Sequence, residues 1–166
     1  MDILPDILAP GLKLVVCGSA AGTRSAELGA YYAGPGNRFW GTLHRVGLTP
    51  RQLNPAEFRD VIAYAIGLTD IAKKTFGADS SLRRADSDAA GLGRKIEIHQ
   101  PKILAFNGKR AASAFLGGPV AYGYQPGRDI GGTRIYVAPS TSGAARRFWN
   151  EDLWRLVAEA VLAGDR

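Results

Sequence analysis

Apolar residues form four short runs that alternate with longer amphipathic segments along the chain. The runs span residues 12–17, 65–71, 103–106 and 133–138. Glycine, proline or small polar residues bound them, which is typical of buried strands. Each run is apolar almost throughout, as expected for a strand that is covered on both faces. We therefore predict four strands, with residues 120–130 forming either a minor strand or only a loop.

Helical periodicity or composition characterises the segments between these runs. Asn54 precedes one of them at the position of a helix cap, and Pro55 lies in its first turn. The predicted helices span residues 37–46, 55–64, 88–100, 109–116 and 146–162. The last is strongly amphipathic, with an apolar side predicted to contain Trp149, Leu153, Leu156, Val157 and Ala160.

Alternating strands and helices indicate an α/β fold with a parallel sheet covered on both faces. We predict a three-layer sandwich with a central, mostly parallel four-stranded sheet flanked by helices. Ligands of such sheets bind beyond the carboxyl ends of the strands. Four loops should therefore converge on one site: those beginning at Gly18, after Ile71, at Asn107-Gly108 and at Pro139.

Length and charge narrow the class of protein. A chain of 166 residues can bury a substantial core, and we predict a single domain over residues 1–166. The net charge of +6 and the isoelectric point of about 9.7 favour a polyanionic partner such as nucleic acid.

Several classes of protein are not indicated. Cys17 is the one cysteine, so neither an internal disulfide nor a sulfur-rich metal centre is expected. We predict no metal and no cofactor. No apolar stretch approaches the length of a membrane span, and the first residues do not have the layout of a signal peptide. We expect a cytoplasmic monomer with no membrane association.

The glycine-rich stretch after the first strand is Gly18-Ser19-Ala20-Ala21-Gly22-Thr23. It lacks the Lys-Ser/Thr pair of a P-loop and the Gly-x-Gly-x-x-Gly spacing of a dinucleotide site. A tight turn whose backbone amides face a cavity accounts for it equally well.

Two further loops carry candidate chemistry. Tyr31 and Tyr32 fall outside any periodic core face, and a tyrosine ring at a pocket mouth suits stacking against a planar base. One of the pair is expected to pack against the protein instead. Residues 139–147 combine small hydroxyl residues, a glycine and two arginines, which suit close contact with phosphates. A plain helix cap by Ser142 is the competing explanation.

Taken together, these stretches resemble the uracil DNA glycosylase superfamily. Residues 6–12 and the spacing from Gly18 to the Asn-Arg-Phe-Trp at 37–40 are similar to the mismatch-specific uracil and thymine enzymes. The hypoxanthine DNA glycosylase branch is resembled at residues 18–19, 31–32, 106–109 and 139–142.

The resemblance implies a monofunctional enzyme that hydrolyses the N-glycosidic bond of uracil, and of other deaminated bases such as hypoxanthine and xanthine, in DNA. Such an enzyme flips the nucleotide out of the duplex and leaves an abasic site. A noncatalytic DNA-binding relative is the alternative. A small-molecule hydrolase or nucleotide-binding protein is a third hypothesis, which predicts no DNA affinity.

The resemblance also implies roles for individual residues. Tyr32 corresponds to the aromatic residue that stacks on the base, and Asn107 is placed to contact the edge of the base. The backbone around Ser19 corresponds to the segment that holds a base carbonyl, and it contains Gly18, Ser19 and Ala20. The loop that enters the minor groove supplies the predicted DNA contacts Ser140, Ser142, Gly143, Arg146 and Arg147.

Two departures put the reaction mechanism in question. Ala20 occupies the position where the mismatch-specific enzymes have a water-positioning asparagine, and Ala138 begins the loop where the classical uracil enzymes have a histidine. The predicted catalytic substitutes are Asn37, which corresponds to an asparagine of the hypoxanthine branch, and Asp70. Capping a helix is the competing role for Asn37. Glu27, expected in a loop, is a less convincing third substitute.

Overall fold

A computed structural model describes residues 1–163 of the chain. Residues 164–166 of the predicted 1–166 domain lie outside the described residues. A five-stranded sheet with the order β2-β1-β3-β5-β4 forms the centre. Its strands are β1 (Leu14–Gly18), β2 (Ile66–Asp70), β3 (Ile103–Asn107), β4 (Gly123–Tyr124) and β5 (Arg134–Ala138).

Four strands are parallel, as the alternating pattern predicts. The prediction of four strands in all is wrong by one, because β4 pairs antiparallel with β5 at the sheet edge. β4 contains only two residues, so it produces no apolar run in the sequence. Its Tyr124 ring lies 5.4 Å from the ring of Tyr136 on β5, a cross-strand pair of the kind that stabilises a sheet edge.

Helices cover both faces of the sheet, which confirms the three-layer arrangement. They are α1 (Thr23–Leu28), α2 (Phe39–Arg45), α3 (Ala89–His99), α4 (Lys109–Leu116) and α5 (Glu151–Leu162), with a 3-10 helix at Pro55–Tyr64. Alternate strand residues point to opposite faces. Val16 belongs to a core with Phe39 and Trp154, whereas Cys17 belongs to a second core with Leu92 of α3.

The helix predicted at residues 146–162 begins instead at Glu151. The Asn150 side chain accepts a hydrogen bond from the Asp152 amide at 3.0 Å and caps the helix. The predicted apolar side is also rotated: the buried residues are Trp154, Val157, Ala158 and Val161. Leu156, predicted on that side, is 47% exposed.

The helix α1 lies in a stretch expected to be a loop. It is only six residues long and follows Gly22, which provides no side-chain cap. It also corrects the expectation for Glu27, which is exposed on this helix and pairs with Arg24 at 3.1 Å. Because Glu27 is exposed, paired and absent from the lining of the cavity described below, it is removed from the catalytic candidates.

None of the helices within residues 1–163 is long and apolar enough to cross a membrane. The same residues contain no group of three or more His, Cys, Asp or Glu side chains able to hold a metal ion.

Candidate active site

A cavity of about 680 Å³ opens at the carboxyl ends of the four parallel strands. The four predicted loops converge there, as the topology requires. Its lining includes most of the predicted site residues: Gly18, Ser19, Ala20, Tyr32, Asn37, Asp70, Asn107, Ser140, Ser142 and Gly143. Arg146 and Arg147 do not line it.

The glycine-rich loop after β1 is held by the loop that follows β2. The Gly18 carbonyl accepts a hydrogen bond from the Ile71 amide at 2.9 Å, and the Ser19 carbonyl accepts one from the Ala72 amide at 2.7 Å. Further along, the Ala21 carbonyl accepts from the Gly77 amide at 2.9 Å. These bonds engage carbonyl groups, and they fix a backbone whose residues 18–25 all line the cavity.

Gly18 sits where a side chain would collide with the site. A Cβ atom at this position would lie 2.7 Å from Asp70 Oδ1 and 3.1 Å from the Tyr32 hydroxyl oxygen. The first separation is shorter than real Cβ contacts allow. Absence of a side chain at Gly18 therefore permits Asp70 and Tyr32 to approach the end of β1.

We expect Gly18→Ala to displace the Asp70 carboxyl or the Tyr32 ring and to lower activity at least tenfold. The matched control is Gly22→Ala, which lies on the same cavity wall at φ −66° and would place its Cβ in open space. Both variants are to be compared by thermal unfolding and in an assay of the base release that the sequence resemblance implies. Equal activity of the two would contradict the importance of the close approach.

Asp70, at the end of β2, is a buried carboxyl group that lines the cavity. It is 5% exposed, and within residues 1–163 its side chain has no salt bridge or hydrogen-bond partner. Burial raises the pKa of Asp70 to about 6 from an ordinary value of 3.8. The charges of Lys73 and Lys95 oppose this rise, whereas Asp6 adds to it. Asp70 therefore changes charge close to neutral pH.

A cluster of charged groups adjoins Asp70. Asp6 accepts hydrogen bonds from the ammonium groups of Lys95 at 2.6 Å and Lys73 at 2.9 Å, and from the Thr69 hydroxyl at 2.6 Å. Burial opposes ionisation of Asp6, but these donors outweigh it and lower its pKa. Lys73 is 8% exposed and also donates to the Tyr31 hydroxyl at 3.2 Å.

The two tyrosines of the loop before α2 differ in role. Tyr31 is buried, lies 5.5 Å from the Phe58 ring, and donates its hydroxyl hydrogen to the Pro5 carbonyl at 2.9 Å. Tyr32 has the left-handed φ of 53°, and its ring centroid lies 4.0 Å from that of Phe39. This residue is half-buried, and its hydroxyl is inaccessible. Among the described residues the hydroxyl forms no hydrogen bond of good geometry, although the Asn107 carboxamide lies close enough to oppose the rise of its pKa.

Burial raises the pKa of Tyr32 well above its ordinary value, and the charge of Asp70 adds to the effect. The hydroxyl therefore stays protonated at neutral pH. An unpartnered buried hydroxyl costs about 1–3 kcal/mol, and a left-handed tyrosine adds backbone strain. Tyr32 in the cavity wall thus has two energetically unfavourable features, and such features are typical of residues in functional sites.

Asn107 is held by the loop that follows β5. Its side-chain oxygen accepts from the Thr141 amide at 3.0 Å, and its side-chain nitrogen donates to the Thr141 hydroxyl at 3.0 Å. The carboxamide thus fixes residue 141 with both ends while lining the cavity. One N–H and one lone pair remain after these two bonds, and only these can contact a ligand.

Asn37 bonds the start of α2 and also lines the cavity. Its side-chain oxygen accepts a hydrogen bond from the Phe39 amide at 3.0 Å, at the first residue of α2. Because the oxygen is engaged at the helix start, the amide nitrogen is the end of the side chain that can serve a ligand.

The loop over residues 139–145 forms the opposite wall. Pro139 accepts at its carbonyl from the Trp154 indole at 2.9 Å, and the Arg38 amide donates to the Thr141 carbonyl at 2.8 Å. A Cβ at Gly143 would lie 2.8 Å from the Pro35 carbonyl oxygen, so two backbone segments meet there without a side chain between them.

Ser142 caps a turn within this loop, accepting at its hydroxyl from the Ala144 amide at 3.3 Å. The proposed cap of the last helix by Ser142 is therefore wrong, since Asn150 caps that helix. Arg146 and Arg147 are exposed in the connection before α5. They are therefore not at the N-terminus of this helix, where the sequence predicted them to be. Phe148 beside them is 64% exposed.

Comparison with known proteins decides the family. The profile of the Uracil DNA glycosylase superfamily matches residues 5–160. The chain belongs to this superfamily. Its fold is similar to the solution NMR structure of a proposed uracil DNA glycosylase from Methanosarcina acetivorans. The TM-score is 0.63 at 22% sequence identity, and the match covers 95% of this chain and 96% of that chain.

Membership of the uracil DNA glycosylase superfamily supports a DNA glycosylase activity in general. Ala20 is half-buried in the cavity wall and offers only a methyl group. Asn37 and Asp70 both line the same cavity.

Sequence reasoning missed three groups of this superfamily member's site: Asp6, Lys73 and Thr141. Asp6 and Thr69 are distant in sequence, as are Asn107 and Thr141, so no local pattern connects them. One signal was present: Lys73 follows an apolar strand and lies three residues after Asp70.

Proposed function

We propose that this protein is a monofunctional DNA glycosylase that removes uracil, and other deaminated bases such as hypoxanthine and xanthine, from DNA by flipping the base and leaving an abasic site. It acts as a cytoplasmic monomer without a cofactor.

The observation that carries the proposal is the cavity itself. Its volume of about 680 Å³ accommodates a flipped purine or pyrimidine, and it combines an aromatic ring, a buried carboxyl group and two carboxamides. Stacking on a ring such as that of Tyr32 contributes about 1–3 kcal/mol per base. Sites of this form occur in enzymes that take a base out of the duplex.

In the proposed reaction the N-glycosidic bond breaks, the base leaves with its bonding electrons, and water adds to the sugar carbon. The ionised Asp70 stabilises the cationic sugar or accepts the proton of the water, and the Asn37 amide nitrogen donates a hydrogen bond to the base or holds the water. The backbone of residues 18–20 binds a base carbonyl. Preorganised groups of this kind act strongly where water is excluded.

A panel of labelled oligonucleotides tests the proposal. Single-stranded and duplex substrates containing uracil, hypoxanthine or xanthine are incubated with the full chain, and abasic sites are cleaved with alkali. We expect cleavage of at least one deaminated base and none of the undamaged strand. Intact strands for every lesion would overturn the enzymatic proposal.

The second candidate function is a DNA-binding protein that has lost the reaction. Ala20 favours it, because the methyl group cannot position water. This candidate predicts salt-dependent binding to lesion-containing duplex DNA with no base release. The same panel, combined with an equilibrium binding measurement on each duplex, separates the two functions.

Arg146 and Arg147 are proposed to contact phosphates from the rim of the site. We expect the double variant Arg146→Gln/Arg147→Gln to weaken duplex binding whatever the lesion, and to reduce the slope of log affinity against log salt by about 2. The matched control is Arg51→Gln, whose side chain pairs with Glu57 and does not line the cavity. An unchanged slope in the double variant would contradict the phosphate contacts.

A further inference from the structure

A buried carboxylate lies unpaired close to a buried lysine. Asp70 is 5% exposed and Lys73, three residues along the chain, is 8% exposed. The lysine is near enough for its charge to lower the pKa of Asp70. No salt bridge joins the two side chains within residues 1–163. Buried charges are normally paired, so something must hold the lysine elsewhere.

The ammonium group of Lys73 is held by other partners. It forms a salt bridge with Asp6 Oδ1 at 2.9 Å and donates a hydrogen bond to the Tyr31 hydroxyl at 3.2 Å. It also lies 5.7 Å from the centroid of the Tyr31 ring. These contacts direct the cation to the N-terminal segment instead of the cavity.

Asp6 is itself held firmly in place. Its carboxylate accepts from Thr69, the residue immediately before Asp70, and from Lys95 on α3. The chain beside it is attached to the same strand, since the Ile7 amide donates to the Leu68 carbonyl at 2.9 Å. The acceptor for Lys73 is therefore built into the fold.

We propose that Asp6 is a positioning residue, which holds the Lys73 ammonium away from Asp70 so that Asp70 presents an unpaired carboxylate to the cavity. The inference rests on the proposed function only where it assigns this carboxylate a use in base removal.

The physical reason is competition between two acceptors for one cation. If Lys73 were paired with Asp70, the carboxylate would be neutralised and would have fewer lone pairs for water or for a cationic sugar. With Asp6 as the partner, Asp70 remains unpaired, as observed. The titratable groups around Asp70 are Asp6, Lys73, Lys95, Tyr31, Tyr32 and Cys17.

The test is a carbon-13 NMR titration of the Asp70 carboxyl group in the full chain. Asp6→Asn removes a negative charge and releases Lys73, so the pKa of Asp70 is expected to fall by about one unit or more. Lys73→Met removes the cation, so the pKa of Asp70 is expected to rise. Loss of the Asp6 charge by itself also lowers this pKa, so the fall is measured again in the Lys73→Met background, where it should be smaller because no released cation contributes to it.

The matched control is Asp2→Asn, which breaks an exposed pair on the same N-terminal segment, between Asp2 and Lys74. It should leave the titration of Asp70 unchanged. If base release occurs, the acid limb of its pH profile should shift downward in Asp6→Asn and upward in Lys73→Met. Thermal unfolding at pH 7 checks that each variant is folded, and Lys73→Met gives an independent answer should Asp6→Asn not fold.

A fall of the Asp70 pKa in Asp6→Asn that is equally large in the Lys73→Met background, or no shift in Lys73→Met itself, would overturn the proposal. The activity of Asp70→Asn distinguishes the proposal about Asp6 from the proposed function. If the opposite shifts are found but Asp70→Asn keeps full activity, Asp6 positions Lys73 as described and the catalytic use of Asp70 is refuted.

Discussion

Replacing Asp70 by asparagine is expected to lower base release by about 10²-fold or more and to stabilise the folded protein above pH 6. Asparagine has nearly the same shape, so it fits between Gly18 and the cavity, but it can neither accept a proton nor balance a positive sugar. Activity is to be measured as single-turnover base release from the best substrate of the lesion panel.

The stability effect follows from the raised pKa of Asp70. Between its ordinary value of 3.8 and the folded value of about 6, the folded protein binds a proton that the unfolded chain does not. Stability therefore falls as the pH rises through this interval and stays lower above it. The loss is about 3 kcal/mol, because one pKa unit corresponds to about 1.4 kcal/mol.

Urea unfolding of both proteins at pH 4 and pH 8 measures this effect. The Asp70→Asn variant should lack this part of the pH dependence and should gain most at pH 8. The control is Asp129→Asn, whose side chain is exposed near the sheet edge and bonds only the Tyr124 hydroxyl among the described residues. Full activity together with unchanged stability would refute both roles of the buried carboxyl group.

Asn37 allows its two roles to be separated by a pair of substitutions. Asn37→Asp keeps an oxygen to accept from the Phe39 amide and suits the positive end of a helix, but it loses the N–H donors. Asn37→Ala loses both. We expect base release to fall by about 10²-fold in each variant, since loss of one preorganised donor has an effect of this size.

Only the alanine variant should lose stability, by about 1 kcal/mol, because it alone removes the hydrogen bond at the helix start. Single-turnover kinetics and urea unfolding on the same preparations provide the comparison. If Asn37→Asp retains activity while Asn37→Ala loses stability alone, Asn37 is a helix cap and nothing more.

Much of the fold is predictable from the sequence because burial on two faces leaves a strong local pattern. The four parallel strands are apolar along most of their length, and their alternation with helices determines where the loops meet. β4 has two residues and α1 has six, so neither is long enough for periodicity to appear. The start of α5 depends on the Asn150 cap, which competed in the sequence with the hydroxyl residues upstream.

The candidate site also has a part that the sequence predicts and a part that it does not. Loops that follow strands could be assigned to one cavity from topology alone. The partners of individual side chains could not, because they come from distant parts of the chain: Asp6 bonds Thr69, and Asn107 bonds Thr141. Sequence analysis placed Asn107 at the base edge, whereas the structure commits half of its hydrogen-bonding capacity to the loop over residues 139–145.

The close contact of Gly143 with residues 35 and 36 connects the 139–145 loop with the segment before α2. A Cβ at Gly36 would lie 3.6 Å from the Gly143 Cα, so the two loops touch through bare backbone. Asn37 follows this contact directly, and Arg38 is bonded to residue 141. If DNA binds at this loop, as proposed, a strand that displaces residues 139–145 would also displace the segment that carries Asn37. The position of the Asn37 side chain would then depend on how the DNA is bound.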